Sequence, residues 1–237
     1  MLCVNNNGTE IVAPPLLDTG LSVLDYTFEW RQNGTVITGA NGSSYLVTQA
    51  GDYNVIVTDN ITNCQRTVST TVNESSPPIV NAAVTSLAFS DNNVIEVEVI
   101  GIGVYEYSID GGLWQESNVF EDVSLGEHII TVRDLNGCGI GSDTVIVLDY
   151  PKYFTPNGDG FNDTWNITGI STQPTARIFI YDRFGKLLKQ LSPTGIGWNG
   201  TFNGANLPAS DYWFTVQYLE PSDGALKQFK AHFSLKR

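Results

Sequence analysis

The sequence predicts an all-β protein built from three tandem Ig-like antiparallel β-sandwich modules. Helical periodicity is absent along the 237 residues, and apolar and polar side chains alternate in short runs such as 26–30 and 94–99. Turn formers such as Asn33-Gly34 and Asp110-Gly111 separate these runs every 8–14 positions. Short strands at this spacing are typical of β-sandwiches.

A repeated segment indicates the number of modules. Residues 51–59 align with 126–134 and, in shorter form, with 210–216. In the first and third copies the motif places a tyrosine where Ig-like domains carry a corner tyrosine that bonds nearby backbone. His128 stands in its place in the second copy, so we expect a less secure corner there.

The breaks between modules follow from local composition. Ser75-Ser76-Pro77-Pro78 predicts a stiff linker that is poor in hydrogen-bond donors. The second break, around Asp149-Tyr150-Pro151, leaves almost no spacer and predicts a fixed angle between its neighbours. The predicted modules are residues 1–75, 76–149 and 150–237.

Charge is distributed unevenly along the chain. Residues 1–150 contain 19 acids and 3 bases, a net charge of −16, whereas residues 151–237 contain 6 acids and 9 bases, a net charge of +3. The acidic body argues against a nucleic-acid partner, because phosphate contacts need clustered Lys and Arg. No run of about 18 apolar residues is present to span a membrane as a helix.

The sequence has three cysteines, which is an odd number for a closed disulfide framework. Cys3 and Cys64 fall at the two ends of the first module, so a Cys3–Cys64 disulfide is predicted for an exported protein. Cys138 is then left either without its partner or buried.

Enzyme chemistry finds no support in the residue pattern. The two histidines, His128 and His232, both lie in strand-like runs, and no G-x-S-x-G turn is present. The cysteines lack a histidine partner in sequence context, and the acids are scattered singly. We therefore expect no catalytic residues and no enzyme activity.

The segment 153–165 is the densest run of turn formers, and Phe154, Phe161 and Trp165 are expected to anchor it to a core. Asn157, Asp159 and Asp163 supply oxygens at positions 1, 3 and 7 of a partial calcium loop. Position 12 is Thr168 where a bidentate Glu is required. The segment is thus either an anchoring turn or a weak calcium site, and calcium is the one cofactor considered.

Two roles are open for a set of aromatic residues: packing in sandwich cores, or stacking on sugars at an adhesive surface. The set comprises Tyr26, Trp30, Tyr45, Tyr105, Trp114, Trp198 and Trp213.

Four ordered segments, 153–165, 178–186, 207–214 and 232–237, together resemble the type B C-terminal sorting domain of type 9 secretion system cargo, also called the gliding motility-associated C-terminal domain. One departure is Ala231, where the family usually has Gly. Residues 105–112 and 117–120 resemble a repeat of mobile gliding adhesins. The first module resembles PKD-like Ig repeats of bacterial surface proteins.

The resemblance implies a secretion and anchoring region of a cell-surface adhesin-like protein, exported through the periplasm and held at the outer membrane. Its implied partners are the type 9 translocon and a PorP/SprF-like outer-membrane protein, and its terminal Leu235-Lys236-Arg237 is implied to be needed for export. We read Met1 as the start of a fragment of a longer secreted protein. The residues expected to contact the partner are Asn157, Gly158, Asp159, Gly160, Asn162, Asp163, Asp182, Arg183, Gly185, Lys186, His232, Phe233, Leu235, Lys236 and Arg237.

Two alternatives stay open from the residues alone. The strand at 231–235, bracketed by cations, is either an edge strand that its charges protect from pairing or a recognition element that adds to a partner's sheet. The whole chain is either an exported address with acidic spacer modules or a carbohydrate-binding module that itself contacts a surface.

Overall fold

The computed structural model describes residues 1–237 and is all-β apart from one 3₁₀ turn (Ile170–Thr172). The strands fall into three consecutive groups, and no ladder pairs strands from different groups. The first group is β1 (Leu2–Val4), β2 (Ile11–Ala13), β3 (Leu16–Asp18), β4 (Tyr26–Gln32), β5 (Thr35–Val36), β6 (Ser44–Leu46), β7 (Gly51–Asp59), β8 (Gln65–Val72) and β9 (Glu74–Ser75). The second is β10 (Ile79–Val84), β11 (Ile95–Ile100), β12 (Tyr105–Ile109), β13 (Val119–Phe120), β14 (Gly126–Asp134) and β15 (Ile140–Val147). The third is β16 (Tyr153–Phe154), β17 (Arg177–Tyr181), β18 (Leu187–Leu191), β19 (Thr201–Phe202), β20 (Ala205–Asn206), β21 (Ser210–Leu219) and β22 (Leu226–Leu235).

The first group forms a four-stranded sheet of order β5-β4-β7-β8, a three-stranded sheet of order β2-β1-β9 and the pair β3-β6. Alternation along β4 and β7 turns Phe28, Trp30, Val55 and Val57 to the buried side of the four-stranded sheet. The one parallel ladder of the group joins β1 to β9, so the first and last strands lie side by side.

The second group is a sandwich of two three-stranded sheets, of orders β10-β11-β13 and β12-β14-β15. Its core comes from alternate residues of strands in both sheets, including Ile95 and Val97 on one side and Ile130, Val132 and Val147 on the other. The period-2 pattern that predicted half-buried strands is therefore met on both sheets.

The third group forms one five-stranded sheet of order β16-β22-β21-β17-β18, together with the small hairpin β19-β20. Loops and this hairpin cover the buried face of the sheet, bringing Trp165 and Trp198 into the core. Trp165 stacks on Phe233 of β22 with ring centroids 3.8 Å apart. β16 pairs with β22 in parallel, which places the end of β22 between two strands.

A side-chain bond to the backbone four residues earlier recurs in all three groups. The Tyr53 hydroxyl donates to the carbonyl of Gln49 at 2.7 Å, and the Tyr212 hydroxyl donates to the carbonyl of Pro208 at 2.9 Å. His128 makes the equivalent contact through Nε2, 2.8 Å from the carbonyl of Ser124. The weaker corner expected at His128 was wrong, because an imidazole N–H reaches the same acceptor as the tyrosine hydroxyl.

At the junction between the first two groups, the start of the segment predicted to be a stiff linker is packed against the second group. Ser75 and Ser76 are fully buried. The Ser75 hydroxyl donates to Asp134 Oδ2 at 2.8 Å, and the backbone N–H of Ser76 donates to the carbonyl of Ile102 at 2.7 Å. Asp134 Oδ2 also accepts the backbone N–H of Cys138. Burial forces these polar groups to pair, so the junction carries a specific network.

The disulfide joins Cys3 to Cys138, with Cα atoms 5.4 Å apart, and the predicted Cys3–Cys64 bond was wrong. Cys64 is a free, exposed thiol in the turn before β8. The parallel β1–β9 ladder sets Cys3 opposite Ser75, beside the Asp134 carboxylate that holds the Cys138 backbone. Strand pairing, and not position at the ends of a module, decides which thiols meet.

The junction between the second and third groups is packed as well. The N–H of Phe89 donates to the carbonyl of Leu148 at 3.1 Å, and the N–H of Ala88 donates to the buried carboxylate of Glu220 at 3.0 Å. Tyr218 donates its hydroxyl to the same carboxylate, and burial together with that negative charge raises the pKa of Tyr218 to about 12. These contacts support the fixed angle expected from the short spacer.

A candidate recognition site at one end of the C-terminal sheet

Sheet topology collects the predicted contact residues at one end of the third group. β16, β17 and β22 end there, and β18 and β21 begin there, because Tyr181 pairs with Trp213 and Ser210 pairs with Leu235. We call this the distal end, since the turn between β21 and β22 at the opposite end contacts the second group. The loop after β16 and the turn after β17 lie three strand spacings apart, roughly 14 Å.

The distal loop, residues 155–164, is folded by its own side chains. The two carboxylate oxygens of Asp163 accept the backbone N–H groups of Gly158 at 2.6 Å and Gly160 at 2.8 Å. Both glycines have positive φ, which an L side chain adopts poorly. The loop therefore has one defined path while most of its surface stays exposed.

The first half of the loop repeats this device. Asn157 Oδ1 accepts the N–H of Asp159 at 3.1 Å, and Asp159 Oδ1 accepts the N–H of Phe161 at 2.8 Å. The hydrogen bond from the Phe161 backbone is the main cause that lowers the pKa of Asp159. These bonds show an anchoring turn closed by its own carboxylates, and calcium binding by Asn157, Asp159 and Asp163 stays a prediction.

Of the three aromatic residues expected to anchor the loop, Phe154 and Trp165 are buried, whereas Phe161 is 77% exposed. The expectation for Phe161 was wrong. It lies at the tip, and its neighbour Asn162 has a left-handed backbone and directs the chain back toward Thr155, whose N–H donates to the Asn162 carbonyl. The tip therefore presents an aromatic ring to solvent.

The second predicted segment forms the tight turn 182–186. Asp182 Oδ1 accepts the N–H groups of Phe184 and Lys186, each at 2.9 Å, and Gly185 has φ +83°. Phe184 is 80% exposed, and the Arg183 guanidinium lies 4.8 Å from its ring centroid. Asp182 and Gly185 thus shape the turn, while Arg183, Phe184 and Lys186 form its exposed surface.

The end of β22 divides into buried and exposed positions. Phe233 and Leu235 are 1% and 2% exposed, so their side chains build the core and cannot contact a partner of the folded domain. Lys236 is exposed, with its ammonium 4.0 Å from the Tyr153 ring centroid. Of the five residues predicted in this segment, the surface presents His232, Lys236 and Arg237.

Arg237 folds back onto the hairpin that covers the core. Its Nε donates to the carbonyl of Leu207 at 3.1 Å and its Nη2 donates to the carbonyl of Gly200 at 3.2 Å. A side chain at Gly200 would collide with Leu235 at 2.5 Å. The last residue is therefore built into the distal surface, which links the β19-β20 hairpin to the end of β22.

Sequence reasoning missed a row of side chains across the solvent-facing side of the sheet. Tyr181, Trp213 and His232 stand opposite one another on β17, β21 and β22. Trp213 and His232 have ring centroids 6.0 Å apart. The next row toward the junction is Phe179, Thr215 and Lys230. Strand periodicity alone does not predict these rows, because they depend on the register in which the strands pair.

The aromatic residues considered either for core packing or for stacking on sugars fall into two groups by burial. Trp30 and Trp198 are core residues, 3% and 2% exposed. Tyr26, Tyr45, Tyr105, Trp114 and Trp213 are half-buried, and the Arg133 guanidinium lies over the Trp114 ring.

Ser124, His128 and Asp110 lie together in the second group in an order that resembles a hydrolase triad. His128 Nδ1 lies 2.7 Å from Asp110 Oδ2, and Ser124 Oγ lies 3.5 Å from His128 Nε2. However, Nε2 is 2.8 Å from the Ser124 carbonyl, which can only accept. The proton on Nε2 leaves no lone pair to activate the hydroxyl, and the imidazole serves as the corner residue.

Residues 148–233 match a protein-family model, and the domain that this model describes is a secretion signal. The family is CHU_C, the type IX secretion signal domain, and the match covers the third group of strands. The predicted type B sorting domain is confirmed. Proteins that carry such a signal are exported to the cell surface or secreted, and the translocation machinery recognises the signal. No curated protein sequence matches this chain.

Solved structures similar to this chain are Ig-like or fibronectin-like. A titin I-band fragment, I67–I69, is 13% identical over 90% of this chain and 88% of its own, with a TM-score of 0.34. The amphioxus IgVJ-C2 molecule is 12% identical over 56% and 95%, at 0.33, and the fibronectin(III)-like modules of Clostridium thermocellum CbhA are 17% identical over 50% and 75%, at 0.30. At these TM-scores the fold is defined by the strand ladders alone. The chain contains no helix able to cross a bilayer.

Proposed function

We propose that this chain is the secretion and anchoring region of a cell-surface adhesin-like protein of a gliding bacterium. Residues 150–237 act as the address read by the type 9 translocon, with a PorP/SprF-like outer-membrane protein as its direct partner. Residues 1–75 and 76–149 act as acidic spacer modules. The mature region stays associated with the outer membrane.

One observation carries this proposal: the sequence segments shared with the sorting family meet at the distal end, away from the junction with the second group. The loop and turn there are held by internal carboxylate bonds to backbone N–H groups. Rigid exposed loops on a packed sheet are suited to recognition, because little conformational entropy is lost when a partner binds. Recognition, and not catalysis, is the function that this geometry serves.

Charge supports the same assignment. The exposed cations near the distal end are Arg183, Lys186, Lys236 and Arg237, and none of them forms an ion pair. The ion pairs of the third group, by contrast, join Lys152 to Asp149 and Lys227 to Glu220 and Asp223, near the junction. Unpaired cations on one end give the domain an orientation toward an oppositely charged partner.

The proposal is tested by fusing a fluorescent reporter to the N-terminus of the whole chain and expressing it in a bacterium with a type IX secretion system. We expect reporter on the cell surface, and periplasmic retention after deletion of residues 232–237. Retention of the undeleted fusion would contradict the assignment. A glycan array on the purified chain separates the carbohydrate-binding alternative, since an address with spacers should bind no glycan.

A further inference from the structure

Strand β22 has a free backbone edge on the side away from β21. The N–H of Ser234 points to β16 and donates to the carbonyl of Lys152 at 2.9 Å. By the two-residue period of a strand, the N–H groups of Gln228, Lys230 and His232 point to the same side. β16 pairs only with Ser234 and Leu235, so no strand covers this edge over the preceding residues.

The outer face beside this edge is aromatic and basic. Tyr181 and Trp213 are half-buried, and together with Arg183 and Lys230 they line a shallow depression of about 370 Å³ that also includes Asp182. Neither Arg183 nor Lys230 has a carboxylate within ion-pair distance. Asp182 is the one acid in the depression, and it is occupied by the backbone N–H groups of its own turn.

A free strand edge offers an ordered row of amide donors and acceptors, which an extended peptide matches and a glycan does not. Neighbouring cations favour carboxylates in that peptide, since an acidic side chain on the added strand would lie within reach of Lys230. On the same face the His232 ring of β22 lies beside an added strand, and the Trp213 ring, 6.0 Å from it, extends the aromatic surface one strand further in. The edge, the charge and the aromatic row thus describe one kind of occupant.

We propose that an extended acidic segment of the partner protein adds to the edge of β22 at Gln228–His232 and lays its side chains beside Lys230 and His232, on the outer face that also carries Trp213. This inference rests on the proposed function and specifies how the address is bound. The distal loops orient the domain, and the added strand provides the main-chain contacts.

The charge requirement is tested with the whole chain fused to the reporter. Lys230→Glu replaces an attraction by a repulsion, and the two effects together, each of the size of one exposed charge contact, should lower surface reporter roughly twofold to thirtyfold. Lys189→Glu is the matched control, because Lys189 is an exposed, unpaired cation on the opposite side of the sheet order, in β18. It should leave export within twofold of the unsubstituted chain.

The backbone requirement is tested with Gln228→Pro. This proline removes an N–H that points away from β21, so the internal ladder is kept while the donor to the partner is lost. We expect reduced export with little change in the melting midpoint. If the proline variant unfolds, the lysine pair alone decides.

A photo-crosslinking residue at His232 identifies the occupant directly, and we expect an adduct with an acidic peptide of an outer-membrane protein. A glycan adduct, or equal export of Lys230→Glu and Lys189→Glu, would overturn the inference. Failure of the unsubstituted fusion to reach the surface would instead contradict the proposed function, so the two failures are distinguishable.

Discussion

Phe89 should determine how firmly the signal domain is held to the module before it. Although it belongs to the chain segment of the second group, its ring lies in the core of the third, with 7% of its surface exposed. It stacks on Phe229 with centroids 4.4 Å apart and meets Tyr218 edge-on at 5.0 Å. The replacement Phe89→Ala therefore removes buried apolar contact from the core of the third group.

The expected cost follows from this burial. Truncating a buried Phe to Ala typically costs about 3–5 kcal/mol, and the two ring pairs place this site within that range. Phe184→Ala is a matched control, because Phe184 is 80% exposed and surface truncations usually stay within about 0.5 kcal/mol.

Hydrogen exchange of the β21 amides measures the effect in the whole chain. A loss of about 3 kcal/mol predicts exchange roughly a hundredfold faster in Phe89→Ala, with almost no change in Phe184→Ala. The melting midpoint of the third group should fall by roughly 10 °C or more. Equal exchange rates in the two variants would refute the assignment of Phe89 to this core.

Three further predictions concern the rest of the chain. Peptide mapping without reductant should find Cys3 linked to Cys138, and one reactive thiol at Cys64; a Cys3–Cys64 peptide would contradict the junction described here. A hydrogen bond from His128 is the main cause that lowers the pKa of Asp110. The stabilisation from this carboxylate is therefore present above its unfolded pKa of about 3.9 and is lost as the pH falls through the folded pKa. Asp110→Asn should therefore make the free energy of unfolding less dependent on pH in the acid range. An unchanged dependence would contradict the Asp110–His128 interaction. The calcium hypothesis for Asn157, Asp159 and Asp163 predicts a higher calorimetric midpoint of the third group in calcium than in chelator, and identical midpoints would remove it.

Local patterns in the sequence predicted much of this fold. Turn formers located the loops because Gly and Asn accept positive φ wherever they stand, as at Asn33-Gly34 and Asn203-Gly204. Alternation located the strands, and the repeated segment located the corner residues. These signals depend only on neighbours in the chain, so a single sequence contains them.

Features that depend on distant pairing could not be read in the same way. The partner of Cys3 is determined by the β1–β9 ladder, and the sequence of neither strand alone predicts the register of that ladder. Phe161 and Trp165 look equivalent in sequence, yet one is 77% exposed and the other is fully buried. At the candidate site, the pattern found the segments but not the buried role of Phe233 and Leu235.

Placing Phe233 and Leu235 between two strands of the sheet has a consequence for truncated polypeptides. The core closes around β22, so a polypeptide that stops short of β22 lacks the Trp165–Phe233 stack and the ladder to β16. Such a product would not assemble the folded distal surface, so the architecture of a single sheet separates polypeptides that contain β22 from those that lack it.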